Sequence, residues 1–285
     1  MVSPVIAKII SVQQSFTVIE NEIAQYVMNN AEKVVSSTIT TIAKNTNTSE
    51  ASINRFCKKI GFKGFNSFKV ALAQENFFNS MQKSEQSSTD DGLVSSISRD
   101  YSHMLVNTTA LLDENLVQEA AAAMRKAAHI YIFSYSYTAM VAQELEFRLG
   151  MVGLHAKAVT DIEAIRVYTG AVTGDDLVMV LAPTLLMRDL YHAMGLCRDS
   201  GAKIMTISSY DSPKLAAMID YKFIISDKIT TRYSVSISNN LMFLYVTDVL
   251  YCALLEGDKS LKKKRMASDS ILSSQQRMDS YFFEY

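Results

Sequence analysis

Five short apolar runs, each followed by a helical pattern, constrain this chain more than any other feature. The runs are residues 130–133 (IYIF), 154–159, 177–181 (LVMVL), 203–207 and 222–225. Residues 138–149, 161–168, 185–199 and 213–219 lie between them and carry apolar side chains at helical spacing. Strands that alternate with helices imply right-handed crossovers and a parallel sheet covered on both faces. The expected fold class for this half is α/β, doubly wound. Helical stretches at 93–128 and 238–255 flank it.

The preceding part reads differently. Residues 1–79 show helical periodicity and almost no strand pattern, with Ile19, Ile23, Tyr26 and Val27 as one example. Residues 80–92 (SMQKSEQSSTDDG) are polar and poor in apolar side chains. Such a composition cannot bury a core and reads as a linker. The expected organisation is an all-α domain (1–79), a linker (80–92), an α/β domain (93–256) and a tail (257–285). The basic run Lys262–Arg265 in that tail reads as a solvated helix face.

Within the all-α part, residues 37–60 have helix-turn-helix dimensions. A short helix at 38–44, a polar connection at 45–48 and a second helix opening at Ser49 fit that motif. Ser49 suits an N-cap, because its hydroxyl can accept from a free backbone N–H. Ala51, Ser52, Asn54 and Arg55 follow early in the second helix, where such proteins meet base edges. Asn pairs with adenine and Arg with guanine in the major groove. Lys58, Lys59, Lys63 and Lys69 suit phosphate contacts. Residues 36–76 hold six Lys and Arg against two acidic residues, an excess of four in a chain of net charge −1. The basic charge is therefore concentrated on this segment. Glu20, Glu22 and Glu50 are alternative internal partners for Arg55. Ile53, Phe56 and Ile60 form its buried face, and Gly61 stops the helix.

Composition excludes several classes. Three cysteines (Cys57, Cys197, Cys252) without CxxC exclude a disulfide scaffold and a cysteine-rich zinc module. Four scattered histidines without HExxH argue against a metal site. No metal and no cofactor is expected. The apolar stretch 241–255 is broken by Asp248 and too short to span a bilayer. No signal-type segment is expected at the N-terminus. The reading is a soluble, cytoplasmic protein with no membrane partner. Glu144, Glu146, Asp161, Glu163 and His192 form no marked acid–base pair, and no Walker loop or dinucleotide fingerprint occurs. Catalysis is not expected, and no catalytic residue is assigned.

The segments ENEIAQYVMNN (20–30) and STITTIAKNTNTSEASINRFCKKIGFKGFNSFKVALAQEN (37–76) closely resemble the N-terminal domain of the RpiR/MurR family of bacterial transcription regulators. Thr41-Ile42-Ala43, Ser49, Ile53, Arg55-Phe56, Lys58 to Phe62, Gly64-Phe65 and Phe68-Lys69 carry the match. The resemblance implies binding to double-stranded operator DNA, with residues 49–59 as the recognition helix. The DNA-binding set expected is Ser49, Ala51, Ser52, Asn54, Arg55, Lys58, Lys59 and Lys63.

The family's second domain is a SIS (sugar isomerase) domain that senses phosphosugars. Residues 127–153, 175–190 and 197–226 are similar to it in outline, and 238–256 resemble its closing helix, which implies a homodimer or homotetramer. The loops depart from the family. Gly-x-Gly-x-Ser is here Ser134-Tyr135-Ser136-Tyr137-Thr138, and Ser-x-Ser-Gly-x-Thr is here Leu181-Ala182-Pro183-Thr184-Leu185-Leu186. Pro183 removes a backbone donor. The effector set expected is Ser134, Ser136, Thr138, Thr184 and Ser208. Three readings of this domain stay open: a phosphosugar in modified geometry, another small ligand with Tyr135, Tyr137, Arg188 and Ser208 reshaping the pocket, or a dimerisation platform alone. Ser208, Ser209 and Asp211 have a second reading as caps of a helix near Pro213, and Asp161 as the cap of the helix after the second strand. The function implied is a DNA-binding regulator of carbohydrate genes responding to a sugar phosphate or related ligand. The alternative is a SIS-fold isomerase, or a ligand-binding protein without DNA.

Overall fold

The computed structural model describes residues 5–84, 92–211, 215–231 and 235–279. The chain divides into two compact units. One holds the described residues of Met1–Leu112, Ser208–Ala216 and Ile224–Met242; the other holds those of Asp113–Ile207, Ala217–Phe223 and Phe243–Tyr285.

The first unit is built on helices α1 (Val5–Val12), α2 (Val18–Asn29), α3 (Ala31–Ser36), α4 (Ile39–Asn45), α5 (Glu50–Lys59), α6 (Phe65–Ser84) and α7 (Leu93–Leu111). Local chemistry sets their ends. Thr17 and Glu20 form a reciprocal capping box at the start of α2. Thr38 caps α4 and Ser49 caps α5 through their side chains. Gly61, at φ 88°, terminates α5 in a conformation that side chains with a Cβ rarely adopt. The apolar faces of α1 to α6 meet in one core around Ile9, Ile23, Ile42, Ile53, Phe56 and Phe68. Phe56 sits at its centre, with the Phe16 ring 5.4 Å and the Phe68 ring 6.5 Å away.

Two local expectations change. The first five residues of the predicted linker are helical, because α6 runs on through Met81, Gln82 and Lys83, all good helix formers. Residues 85–91 lie outside the described residues. The helix expected at 213–219 begins in residues outside the described set, and Leu215–Met218 form turns. The reading of Ser208, Ser209 and Asp211 as its caps therefore falls outside the described residues too.

The second unit centres on a five-stranded sheet of β1 (Ile130–Ser134), β2 (Ala156–Val159), β3 (Leu177–Leu181), β4 (Lys203–Ser208) and β5 (Tyr221–Ile224), in the order β2-β1-β3-β4-β5. β1 pairs in parallel with β2 and β3, and β3 with β4. All five residues of β3 are buried, which is why it reads as an unbroken apolar run. Helices α8 (Glu114–Lys126), α9 (Ala139–Met151), α10 (Ile162–Tyr168), α11 (Arg188–Asp199), α12 (Asn240–Glu256) and α13 (Lys259–Asp279) complete the chain. The stretch expected at 93–128 breaks at Leu112, where Asp113 accepts from the Asn115 and Leu116 amides and starts α8. Within the residues expected as a tail, Lys259–Asp279 fold as α13, which Asp258 caps through the Ser260 and Leu261 amides. Among the described residues no single helix is long and apolar enough to cross a membrane.

Candidate functional site

Helix α4, the turn after it and α5 form the first candidate surface. The turn is held from within. The buried Thr46 hydroxyl donates to the Ile42 carbonyl at 2.8 Å, and the Thr48 amide to the Ala43 carbonyl at 2.8 Å. Asn47 takes φ 49° between them. Outside the turn, the Thr40 hydroxyl donates to Glu50 at 2.6 Å and ties the two helices together.

The faces of α5 follow from 100° per residue. Ile53, Phe56 and Cys57 point into the core. Ala51, Arg55 and Lys58 fall on the opposite line and are exposed. Ser52 and Lys59 flank that line on one side, and Asn54 on the other.

The eight residues expected at this surface divide by what holds them. Ser49 accepts from the Ser52 amide at 3.1 Å, and the two hydroxyls stand 2.9 Å apart. Arg55 Nη2 donates to the Ser52 hydroxyl at 3.2 Å. None of the three glutamates weighed as partners takes Arg55: Glu20 binds Lys59 and Glu50 binds Thr40. Lys58 and Lys63 are exposed and meet no hydrogen-bond or ion-pair partner among the described residues.

Asn54 and Lys59 are engaged elsewhere. The Asn54 side-chain oxygen accepts from the Phe65 amide at 3.0 Å and so caps α6. Lys59 Nζ donates to the Ser15 carbonyl and to Glu20, both at 2.7 Å, over the ring of Phe16. Burial pushes the Glu20 carboxyl up, and the Lys59 contact with the Thr17 backbone donor outweighs it, so Glu20 lies below its ordinary value. Lys69 donates to the Ser37 carbonyl at 2.8 Å. Sequence reasoning left out the exposed Lys44, at the end of α4, and the exposed Thr41, whose hydroxyl bonds Thr38 at 2.9 Å. The Ser-Thr run at 36–41 was the available signal.

The second candidate region lies where the strand order reverses. The chain runs from β1 outward to β2 and returns to β3 on the other side, with Ser134 paired to Leu181. In open α/β sheets ligands sit outside the carboxyl ends of the strands at such a point. The loop after β1 forms a 3₁₀ turn at Ser136–Thr138 and leads into α9. Ser136 takes φ 59°, the backbone region for which a glycine would be the ordinary choice. The loop after β3 leads into α11. Neither N-cap, Thr138 for α9 or Met187 for α11, makes a side-chain capping bond. Asp113 and Asp161 do cap α8 and α10. The two helix starts at the switch point thus lack the side-chain acceptor that their neighbours carry.

The expected effector residues are not alike. Ser134 and Thr138 are fully buried, and their hydroxyls bond each other at 2.7 Å. Thr138 also bonds the Tyr135 and Leu181 carbonyls, each at 3.0 Å. These two side chains lock the ends of β1 and β3 together. Ser136 is exposed and Thr184 half-buried. The Tyr135 hydroxyl donates to the Met187 sulfur, joining the two loops. Ser208 ends β4, fully buried, and donates to the Tyr210 carbonyl at 3.0 Å. Arg188 stands exposed in the first turn of α11. It lines a cavity of about 820 Å³ with Arg166, Thr169, Asp189 and His192. Among the described residues no group of three or more His, Cys, Asp or Glu is placed to hold a metal.

Residues 4–77 match a family model described as helix-turn-helix domain, rpiR family. An uncharacterised HTH-type transcriptional regulator of Haemophilus influenzae is 24% identical over 264 residues, covering 90% of this chain and 92% of that protein. HTH-type transcriptional regulator HexR of Pseudomonas aeruginosa is 24% identical over 197 residues, covering 68% and 69%. In fold, the chain is similar to the Vibrio vulnificus NanR protein complexed with ManNAc-6P, with TM-score 0.59, 21% identity and coverage of 95% and 98%. It is also similar to the sugar isomerase domain of an RpiR transcription factor from Sphaerobacter thermophilus, with TM-score 0.54, 16% identity and coverage of 64% and 97%. The expected fold class, a helix-turn-helix domain followed by a SIS-type α/β domain, is the observed one.

Proposed function

We propose that this chain, whose N-terminal domain is a helix-turn-helix domain of the rpiR family, is a transcription regulator that binds operator DNA through α5 and answers to a sugar phosphate or a related anion. One observation carries the DNA half: the outward line of α5 holds Ala51, Arg55 and Lys58 with no acidic partner among the described residues, opposite a fully buried face. An exposed helix with an uncommitted arginine and lysines fits the major groove. Arg55 reads bases. Lys58, Lys63 and Lys44 meet phosphates.

The effector half rests on the switch point. A phosphate there would take backbone N–H groups from the starts of α9 and α11, with the hydroxyls of Ser136 and Thr184 and the charge of Arg188. NanR, which shares the fold, is bound to ManNAc-6P in its own structure. The α/β domain (93–256) pairs two copies of the chain, and the segment 80–92 links it to the DNA-binding domain (1–79). A dimer of this kind addresses half-sites about one helical turn apart, or a multiple of it. The protein acts in the cytoplasm and performs no catalysis. An effector acts only through a difference in affinity between the DNA-competent and DNA-incompetent arrangements.

The test is enrichment of sheared genomic DNA by the purified chain, with and without a pool of sugar phosphates. A few fragments should be enriched over bulk DNA, and the pool should alter their recovery. Recovery indifferent to the pool would remove the sugar-phosphate half. Recovery equal to bulk DNA would remove the regulator reading.

A further inference from the structure

We infer that Ser52 is a positioning residue for Arg55: Ser49, Ser52 and Arg55 form one hydrogen-bond chain on the exposed side of α5 that presets the guanidinium. The inference rests on the DNA-binding reading above and deepens it.

The donor inventory fixes one end of the chain. A guanidinium only donates. At 3.2 Å from Arg55 Nη2, the Ser52 oxygen is therefore the acceptor. Ser49 Oγ stands 2.9 Å from the Ser52 oxygen, and either hydroxyl can donate to the other. Ser49 Oγ also accepts from the Ser52 amide at 3.1 Å, as an N-cap does. Bonds with an ionised donor at one end are stronger, and a bond polarises the next one along.

The chain matters because of what Arg55 lacks. Glu20 and Glu50 are engaged elsewhere, so no carboxylate fixes the guanidinium. A long side chain left unrestrained spreads over many rotamers, and ordering it on binding lowers affinity. Ser52 lies three residues before Arg55, where helical side chains are neighbours. One N–H goes to Ser52, and four of the five donors remain for a guanine edge.

The probe is a duplex selected by the wild-type chain from a random-sequence pool, compared with a scrambled duplex of equal composition. Ser52→Ala should lower the selected-to-scrambled affinity ratio about three- to tenfold, the range of one lost hydrogen bond. The salt dependence should stay unchanged, since no charge is lost. Ser52→Thr keeps the hydroxyl and should restore the ratio. In an Arg55→Ala background, Ser52→Ala should have no further effect. A ratio unmoved by Ser52→Ala, or an effect that adds to that of Arg55→Ala, overturns the inference. Failure of the wild type to prefer any duplex would sink the DNA reading itself, and this inference with it.

Discussion

Lys58 and Lys59 are adjacent and chemically identical, yet the structure gives them opposite tasks. Lys58 is exposed and meets no partner among the described residues, whereas the Lys59 side chain is 27% exposed and holds both Glu20 and the Ser15 carbonyl. Lys58→Ala should therefore remove one phosphate contact. The slope of log K against log salt falls by about 0.9, so the loss of affinity is some three- to fourfold larger at 50 mM than at 200 mM salt. Lys59→Met keeps the apolar stem and deletes only the charge. It leaves Glu20 without its cation and Ser15 without its donor. Hydrogen bonds to charged groups are worth about 1.5–3 kcal/mol, so about 2 kcal/mol of stability is lost. With an m-value near 2 kcal/mol/M the urea midpoint drops by about 1 M. The two assays are salt-dependent DNA binding and urea unfolding, each run on both variants. A slope lowered by Lys59→Met with an unmoved midpoint would refute the assignment of Lys59 as a strut.

Other consequences follow from the same contacts. Asn54→Ala should cost about 1 kcal/mol of stability through loss of the α6 cap, with the base preference of the bound DNA unchanged; urea unfolding and binding to the selected duplex check both. Glu75, half-buried against the Val5 amide, is pushed by burial from 4.5 to about 7 despite the Val5 and Ile6 N–H groups. Between those values the folded chain keeps a proton that the unfolded chain has lost, so stability falls as pH rises through that window, by up to about 3 kcal/mol. Glu75→Gln should flatten that fall in unfolding measured from pH 5 to 8. Ser136→Gly should stabilise the chain by about 1 kcal/mol by relieving the left-handed backbone. A lower melting temperature would show that the serine side chain is needed where it stands.

Sequence patterns that are local could be read, and contacts that span the chain could not. β3 is a pure apolar run because it is buried on both faces, so its position is legible from five letters. The limits of α5 are legible because Ser49 and Gly61 carry capping chemistry in their own side chains or lack of one. The partner of Lys59 lies 39 residues earlier, and the amide that Asn54 caps lies 11 residues later. Nothing in the spacing of KK or NR distinguishes a strut from a free contact. Ser134 and Thr138 are another case. Their hydroxyls suggest a ligand loop, yet Thr138 is bonded to a carbonyl 43 residues on. Only the basic run Lys262–Arg265 points to a helix in the tail, because the rest of the Lys- and Ser-rich α13 has the composition of a solvated tail.

The central claim is that the outward face of α5 reads bases, and Arg55 tests it most directly. The measurement is the affinity of wild type and Arg55→Ala for the selected duplex and for the scrambled duplex at one salt concentration. The account predicts a loss of about 1–3 kcal/mol on the selected duplex and little change on the scrambled one. Equal loss on both duplexes would contradict it, and would leave α5 gripping the DNA backbone without reading the sequence.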